Sequence, residues 1–528
     1  MTDYHAWEVS DGEHHTDVYI SNKTVICKKK NVPGITLTIG MFFDGTGNNA
    51  FNTDLRLTGQ CTHEDVGMST GDADACLKKL HKGGMGDDSS YGGYYSNIHW
   101  LNTLYTTDDK ISADKNLYQM AIYVEGIGTE KYKEDSLIGM GLGAVFDGVV
   151  DKTNEGLSQI SKKISDFLQG NASSDFAIAK IQFDIFGFSR GAAAARHFAN
   201  RVHRGDKTIE NAIIKGLDGR NQHGKPAGEV RFLGLFDTVC AVGTVTNLFD
   251  VHGPVNPGVE LDLPPDIAQK VFQITAMHES RYNFSLNSIK GYWPELALPG
   301  VHSDIGGGYN PSENEYYFLT QPVFETVKEE VNNNETGVYK RAAATQPDLR
   351  VVPALKYIIP SGEMKVETWY DYLVSPEKYH QGIIEKRVGA AVTFNRTVTN
   401  EWSKVSLRVM LDAAKEQGLQ FKDILPKDDK LSLLPELESL CQKAINQGKM
   451  VRNGDTPTPF TFDELLLIGK YIHCSANWNP VRFKKVWLDR KQIRTIYGAV
   501  PVTDVFGFIN RPCDRWMRAI WNMKGDKT

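Results

Sequence analysis

The sequence predicts an α/β fold built on a mostly parallel, doubly wound sheet. Apolar runs of strand length alternate with longer helical patterns through the first 300 of its 528 residues. Each run is followed by a turn and a longer segment, which is the pattern of βαβ units. Helical periodicity is visible at residues 156–168 and 191–202. The clearest predicted strands lie at residues 35–43, 120–125, 180–186, 230–236, 271–277 and 296–299.

Changes in this rhythm predict the domain organisation. Residues 1–310 are expected to form the core, with an insertion near residues 50–116, a stretch rich in Gly, Asp and Ser. A loop of that length is usually functional or mobile. Residues 311–460 carry amphipathic stretches and are expected to form a mainly helical cap or accessory lobe. Residues 461–528 are expected to be a C-terminal segment that returns to the core.

Composition excludes several classes of protein. Hydrophobic residues make up 41% and charged residues 23%, the usual mix of a globular protein, and the net charge of -6 argues against nucleic acid as a partner. The seven cysteines form no C-x-x-C pair, which favours free thiols made in a reducing cytoplasm over zinc ribbons or disulfides. The polar N-terminus lacks the pattern of a secretory signal, and no apolar stretch approaches the roughly 18 residues of a spanning helix.

The strongest local motif is Gly-Phe-Ser-Arg-Gly at residues 187–191, which matches the G-x-S-x-G pattern of a nucleophile elbow. A strand-like run leads into it, and a helical pattern with alanines at 192–195 leads out. On such a strand-to-helix turn the hydroxyl of Ser189 projects above the sheet, and the glycines avoid clashes. The sequence therefore predicts an α/β-hydrolase core with Ser189 as nucleophile. The competing interpretation is an ordinary Gly-rich βα turn.

A serine nucleophile requires a histidine held by an acid, and in this fold the acid precedes the histidine in the chain. Asp237 directly follows the predicted strand at 230–236 and is the preferred acid. Asp184 is a poorer candidate because it lies on the predicted elbow strand itself, and Asp250 is poorer because a Pro/Gly-rich loop follows it. His302 lies just past a short apolar run and before three glycines, and it is the preferred base.

Other bases stay open at this point. His278 also follows a predicted strand and is the second choice, and His473 is the third. A dyad of Ser189 with Asp304 is a further alternative, since Asp304 precedes a glycine run as in the patatin-type lipases. Their motif has glycine directly after the aspartate, where this chain has Ile305.

An oxyanion hole needs two backbone N–H groups. One is expected from Arg190, the residue after the nucleophile. The other is expected from the loop after the first core strand, where Asp44 and Gly45 begin the sequence Asp-Gly-Thr-Gly-Asn-Asn. A phosphate or metal loop headed by Asp44 is the competing view, but no lysine follows in the position of a P-loop. The predicted chemistry requires neither a metal nor a cofactor.

Five separated motifs occur in order, with a sixth, YIHCSANW, near residue 471: FFDGTGNN, GFSRGAAAARHFAN, LFDTV, AMHESRYNF and PGVHSDIGGGY. Together they resemble the type VI secretion lipase effectors, in the branch whose elbow is G-F-S-R-G. The resemblance runs from about residue 35 to about residue 310. That branch commonly carries an Asp-Glu-Arg-Arg cluster before the histidine, where this chain has His-Glu-Ser-Arg at residues 278–281.

The resemblance implies a phospholipase of the A type that cleaves acyl esters of membrane glycerophospholipids, with sn-1 favoured over sn-2. It implies the triad Ser189, Asp237 and His302. It also implies synthesis in the cytoplasm without a signal peptide, injection into a rival bacterium, and action at the membrane from the target-cell periplasm. The implied partners are the spike protein of the secretion machine and a cognate immunity protein.

Two other functions stay open. A general carboxylesterase acting on small soluble esters would be expected to have a bare polar cleft, whereas a lipase would carry apolar helices around its site. A non-catalytic adaptor on a degenerate hydrolase fold is the third possibility. Against the adaptor, the parts needed for acyl transfer are present in the expected chain order.

Overall fold

The computed structural model describes the backbone in separate stretches, and it describes side chains from residue 32 onward within them, apart from residues 58, 373 and 482–497. The described stretches are residues 14–21, 24–58, 90, 92–112, 114–131, 148–240, 258–373, 385–478, 482–488, 491–497 and 510–528.

The strands of these residues are β1 His14–Ser21, β2 Thr24–Asn31, β3 Gly34–Phe43, β4 Leu117–Val124, β5 Ala177–Phe188, β6 Glu229–Phe236, β7 Lys270–Ala276, β8 Leu286–Asn287, β9 Glu295–Leu298, β10 Glu313–Phe318, β11 Val323–Lys328, β12 Glu363–Leu373, β13 Glu385–Val398, β14 Arg482–Leu488, β15 Lys491–Tyr497 and β16 Ile520–Trp521.

The α-helices are α1 Ala50–Thr58, α2 Asn97–Leu104, α3 Gly148–Gly170, α4 Arg190–His203, α5 Lys207–Leu217, α6 His302–Gly306, α7 Gly337–Val351, α8 Glu401–Glu416, α9 Pro435–Arg452 and α10 Phe462–Ile468. Short 3₁₀ turns lie at Asn333–Glu335, Ile359–Ser361 and Asp514–Trp516. None of the helices described here is long and apolar enough to cross a membrane.

The centre of the fold is a six-stranded sheet in the order β4-β3-β5-β6-β7-β9. All five pairings are parallel. Each of the six strands expected from the sequence is in this sheet, which confirms the predicted α/β fold. A parallel sheet is covered on both faces, so its strands are continuous apolar runs instead of alternating ones.

Successive side chains of the central strands point to opposite faces and enter two separate apolar clusters. On β3, Met41 and Phe43 lie in the cluster that contains Ile164 of α3 and Phe198 of α4. Phe42, between them, lies in the opposite cluster. Helices α3, α4 and α5 therefore cover one face of the sheet.

The second face is covered by a helix from far along the chain. Val405 and Met410 of α8 share an apolar cluster with Phe232 of β6 and Phe272 of β7. A Cβ added to Gly234 would lie 2.9 Å from the sulfur of Met410, so this glycine allows the close approach. The stretch that contains α8 was expected to form a cap over the core. Here that expectation is wrong, because α8 is a layer of the core itself.

Residues 311–400 also differ from the mainly helical lobe that the sequence predicts. Strands β10, β11 and β12 all pair antiparallel with β13 in a four-stranded sheet. Along one edge, strand β13 pairs with β10 through residues 393–398 and with β11 through residues 385–390. Strand β12 pairs along the other edge. One long helix, α7, lies within this stretch, and the long helices α8 and α9 follow it. The domain boundaries at 310 and 460 stay a prediction.

The stretch predicted as an insertion near residues 50–116 contributes to the core where it is described. Ile98 and Leu101 of α2 are completely buried in the cluster on the second face of the sheet. The amide of Asn97 donates to the carbonyl oxygen of Ile305 at 2.8 Å and so joins α2 to α6. Residues 59–89 of this stretch lie outside the described residues.

Residues 510–528, called the arm below, run beside residues 280–288. Strand β16 of the arm pairs in parallel with β8. The main-chain N–H of Tyr282 donates to the carbonyl oxygen of Arg511 at 2.9 Å, and that of Leu286 donates to Ala519 at 2.9 Å. The arm is therefore bonded to the segment between β7 and β9 along much of its length.

Candidate active site

Ser189 stands at the turn from β5 into α4. Its backbone angles are φ 59° and ψ −127°, a conformation that costs energy for a residue with a side chain. A Cβ at Gly187 would overlap the carbonyl oxygen of Gly191, and a Cβ at Gly191 would overlap the carbonyl oxygen of Asp44. Both elbow glycines are thus required by backbone packing, and the turn has the geometry predicted for a nucleophile elbow.

Asp237 lies directly after β6, the strand next to β5. Because the carboxyl ends of parallel strands meet at one edge of a sheet, this places the carboxylate beside the elbow. Asp237 is completely buried, and its φ of 43° is also in the left-handed region. Its Oδ1 accepts from the main-chain N–H of Ala276 at 2.8 Å, and its Oδ2 lies 2.6 Å from His302 Nδ1.

His302 is the first residue of α6, and its ring lies against the elbow. The ring centroid is 4.6 Å from that of Phe188, the residue before the nucleophile. Nδ1 faces Asp237, while Nε2 is buried and has no hydrogen-bond partner within the described part of the chain. Burial lowers the pKa of His302 below its usual 6.5, although Asp237 opposes this. An aspartate on Nδ1 and a vacant Nε2 are the arrangement of a general base.

The carboxylate of Asp237 has a second partner that the sequence did not indicate. Arg518, on the arm, donates to Asp237 Oδ2 from Nη1 at 2.8 Å and to Oδ1 from Nη2 at 2.5 Å. Burial by itself would raise the pKa of Asp237, but the guanidinium and then His302 outweigh it and hold this pKa well below its usual range. The partners are 281 positions apart in the chain, which explains why no local pattern reveals the pair.

A buried carboxylate also holds the main chain of His302. Glu279 Oε2 accepts from the N–H of His302 at 3.1 Å, and Oε1 accepts from the hydroxyl of Ser475 at 2.8 Å. Arg281 donates to both oxygens of Glu279. Burial raises the pKa of Glu279, but Arg281 and, less strongly, Arg518 and His302 lower it to about 2. The block at residues 278–281 therefore positions the loop of the base.

The alternative bases have other partners. His278 Nδ1 accepts from the main-chain N–H of Gly300 at 3.0 Å. His473 Nδ1 lies 2.6 Å from Asp304 Oδ1, and Asp304 Oδ2 accepts from the N–H groups of Val301 and His473, each at 2.9 Å. Asp304 thus ties α6 to the segment after α10, and both of its oxygens are engaged there. This geometry disfavours the dyad with Asp304 and favours His302 as the base.

The alternative acids do not lie beside His302. Both oxygens of Asp184 accept from the Arg231 guanidinium, and Oδ2 also accepts from the Tyr105 hydroxyl at 2.6 Å. Asp184 lies on β5, five residues before Ser189, which puts it roughly 16 Å from Ser189 along the chain. Asp250 lies outside the described residues.

The predicted oxyanion loop contacts the start of α4, but one of its amides is already used. The N–H of Asp44 donates to the carbonyl oxygen of Val124 at 2.9 Å, which corrects its assignment as an oxyanion donor. The N–H of Gly45 donates to Asp44 Oδ1 at 2.7 Å and reaches a substrate oxygen only when that bond breaks. Arg190, the first residue of α4, stays the predicted second donor.

Asp44 has the environment of a buried acid. Tyr123 donates its hydroxyl to Asp44 Oδ2 at 2.6 Å. Burial raises the pKa of Asp44 to about 6, against the hydrogen bonds from Tyr123, Ser96 and Gly45 that lower it. Among the residues with described side chains, no group of three or more His, Cys, Asp or Glu is placed to hold a metal ion. The alternative of a metal loop headed by Asp44 gains no support from these contacts.

Comparisons with known proteins identify relatives. Residues 204–329 match a family model described as the catalytic domain of Tle1-like type VI secretion phospholipase effectors. A solved structure described as the Tle1 effector bound to the VgrG spike of the type 6 secretion system is 47% identical, with a TM-score of 0.76. That similarity covers 97% of this chain and 100% of the other.

A second structure, of an uncharacterized protein from Pseudomonas aeruginosa, is 16% identical with a TM-score of 0.31. The similarity covers 83% of this chain and 52% of the other. No curated protein matches the sequence.

Proposed function

Because the chain belongs to the Tle1-like phospholipase effectors that the type VI secretion system delivers, we propose that it is a phospholipase A with a Ser189–His302–Asp237 triad. One observation carries the mechanism. His302 Nδ1 is hydrogen-bonded to the buried Asp237, and Nε2 has no partner within the described residues. The ring itself packs on Phe188, next to Ser189. This combination of a strained serine, a neutral imidazole and an ionised acid is what acyl transfer requires.

The reaction follows from these positions. Nε2 of His302 takes the hydroxyl proton as Ser189 Oγ attacks the ester carbonyl. The resulting imidazolium is stabilised by Asp237, and it then protonates the departing lysophospholipid oxygen. An acyl-enzyme remains on Ser189. Water, deprotonated by His302, then releases the fatty acid and restores the hydroxyl.

The negative oxygen of the tetrahedral intermediate requires amide donors. We propose the N–H of Arg190, at the N-terminus of α4, together with that of Gly45. The contact between Gly191 and the carbonyl of Asp44 supports this pairing, since it brings the two segments side by side. The Asp44 carboxylate has to release the Gly45 N–H as the substrate oxygen arrives.

Ser189 is 6% exposed and His302 is 3% exposed, and we propose that a substrate reaches them when neighbouring side chains move. A lipid surface that draws apolar side chains outward would favour this opening. We therefore propose aggregated phospholipid, not a small soluble ester, as the substrate. Cleavage at sn-1 is favoured over sn-2 on the family resemblance alone.

We propose delivery and partners from the relative. The similar structure is of an effector bound to a VgrG spike, and the 47% identity extends over 97% of this chain. A spike protein of the same secretion system is accordingly the proposed carrier, and co-elution of the two purified proteins would test it. Action in the target periplasm, at the membrane, and protection of the producer by an immunity protein complete the proposal.

The decisive experiment measures fatty-acid release from vesicles labelled at sn-1 or at sn-2, with the wild-type protein and with Ser189→Ala. We expect release from one position that is lost in the variant. Cleavage of short soluble esters without release from vesicles would favour the esterase. No cleavage of any ester by a folded wild-type protein would favour the non-catalytic adaptor.

A further inference from the structure

The arm of residues 510–528 delivers a charged side chain to the site from outside the catalytic loops. The N–H of Cys513 donates to Ser280 at 2.7 Å, on one side of Arg518, and Leu286 donates to Ala519 at 2.9 Å on the other. Main-chain bonds before and after Arg518 therefore fix where its side chain enters. It is buried, and it also donates to the carbonyl oxygen of Ala276 at 3.1 Å.

The pairing of Arg518 with Asp237 is two-pronged, and it uses both carboxylate oxygens. Such fork-to-fork bonding fixes the plane of a carboxylate as well as its charge. Here that plane also determines where Oδ2 meets His302 Nδ1 at 2.6 Å. Rotation of the carboxylate would weaken this bond and release the ring from its place against Phe188.

The charges around His302 also indicate a role for Arg518. The ring faces the carboxylates of Asp237 and Glu279, and the guanidinium of Arg281 lies near them. Arg518 adds the second positive charge, so two carboxylates are balanced by two guanidiniums. Without Arg518 the two buried carboxylates would be balanced by one guanidinium only, and a proton on His302 would neutralise the remaining negative charge. An imidazolium cannot accept the proton of Ser189.

We propose that Arg518 is a positioning residue for the hydrolase reaction, which orients the Asp237 carboxylate toward His302 and keeps the His302 ring neutral in the resting enzyme. This inference rests on the proposed triad. It makes the arm a functional part of the site, although the proposed nucleophile, base and acid all lie outside the arm. Arg518 acts through Asp237 and does not itself contact the substrate.

The test compares Arg518→Met and Arg518→Lys with a matched control, Arg231→Met. Arg231 also binds a buried aspartate, Asp184, through two nitrogens at 2.8 and 2.5 Å, but on the far part of β5. Steady-state hydrolysis of dispersed phospholipid is measured from about pH 5 to about pH 9, together with thermal unfolding. The pH profile is the readout that a purely structural role would leave unchanged.

We expect Arg518→Met to lower kcat at pH 7 by about tenfold or more, with KM within about twofold and the acid limb of kcat/KM moved up by about one pH unit. Part of the activity should therefore return at alkaline pH. Arg231→Met should reduce thermal stability and leave the acid limb in its wild-type place. An unmoved limb in Arg518→Met, with a loss no larger than in Arg231→Met, would overturn the proposal.

If Arg518→Met does not fold, Arg518→Lys decides. Lysine keeps the charge but lacks the planar fork, so we expect the acid limb to stay and kcat to fall by about fivefold. Wild-type kcat in this variant would overturn the positioning role. Ser189→Ala distinguishes failure of the proposed triad from failure of the role proposed for Arg518. Full activity of Ser189→Ala would refute the triad itself. An inactive Ser189→Ala together with a normal Arg518→Met would refute only the role of Arg518.

Discussion

Replacing Asp237 with asparagine tests the acid of the triad without changing its size. Each carboxylate oxygen accepts from two donors: Oδ1 from Arg518 and Ala276, and Oδ2 from Arg518 and His302. An asparagine amide must turn its NH₂ group toward one of these pairs, where a donor then meets donors. If it faces His302, it favours the tautomer with the proton on Nε2, and that ring cannot accept a proton from Ser189.

Two magnitudes follow. A wrong tautomer in a serine triad lowers kcat by about 10⁴-fold. Removing the anionic partner leaves the buried Arg518 guanidinium uncompensated, and breaking such a pair costs about 3–5 kcal/mol of folding free energy. Asp237→Asn should therefore be both nearly inactive and less stable. Fatty-acid release from vesicles and denaturant unfolding measure the two effects separately.

Asp184→Asn is the matched control for this prediction. Asp184 is also completely buried and accepts from two nitrogens of an arginine, Arg231, but it does not contact the proposed base. We expect a comparable loss of unfolding free energy with kcat within about threefold of wild type, because the tautomer of His302 is unaffected. Asp237→Asn with kcat within tenfold of wild type would refute Asp237 as the acid.

Three further predictions concern the nucleophile, the base and the elbow. Ser189→Ala should lower kcat by about four to six orders of magnitude while unfolding stays near wild type; residual lipase activity above about one per cent would contradict Ser189 as the nucleophile. Burial lowers the pKa of His302, and its neutral form is the proposed base, so kcat/KM should fall only when the pH drops below the pKa of His302, with the midpoint of the acid limb below 6.5. A midpoint above 7 would contradict this. Gly191→Ala places a methyl group on the carbonyl oxygen of Asp44 and should cost about 1–3 kcal/mol of stability and most of the activity, and wild-type values for both would show that the elbow has room.

Much of the fold could be predicted because its evidence is local. The strands of a parallel sheet are buried on both faces, so each is an unbroken apolar run that can be recognised without its neighbours. The elbow is equally local, since Gly187 and Gly191 are required by contacts within a few residues or with the adjacent loop. Asp237 and His302 follow from strand ends and chain order, and the structure brings them together at 2.6 Å.

The oxyanion prediction shows where local reasoning becomes unreliable. The position of Asp44 after an early strand correctly suggests a loop beside the elbow, and Gly191 does contact its carbonyl. Which N–H can bind an oxyanion depends on the neighbouring strand, because the N–H of Asp44 already donates to the carbonyl oxygen of Val124. A hydrogen bond across a sheet has no signature in the sequence of one strand alone.

Long-range packing accounts for what the sequence concealed. Helix α8 has an ordinary amphipathic pattern. Helices α3 to α5 leave one face of the assembled sheet free, and only there does it become clear that the apolar side of α8 packs on Phe232 and Phe272. Arg518 and Asp237 are 281 positions apart, and arginines are most often exposed, so no local pattern marks Arg518 as the partner of a buried carboxylate. The chain's local patterns thus specify the strands, the elbow and the order of the proposed triad residues, whereas the partners of buried charges are decided by tertiary packing. The reason is that burial makes an unpaired charge costly, and any complementary group that folding brings near, however distant in the chain, can remove that cost.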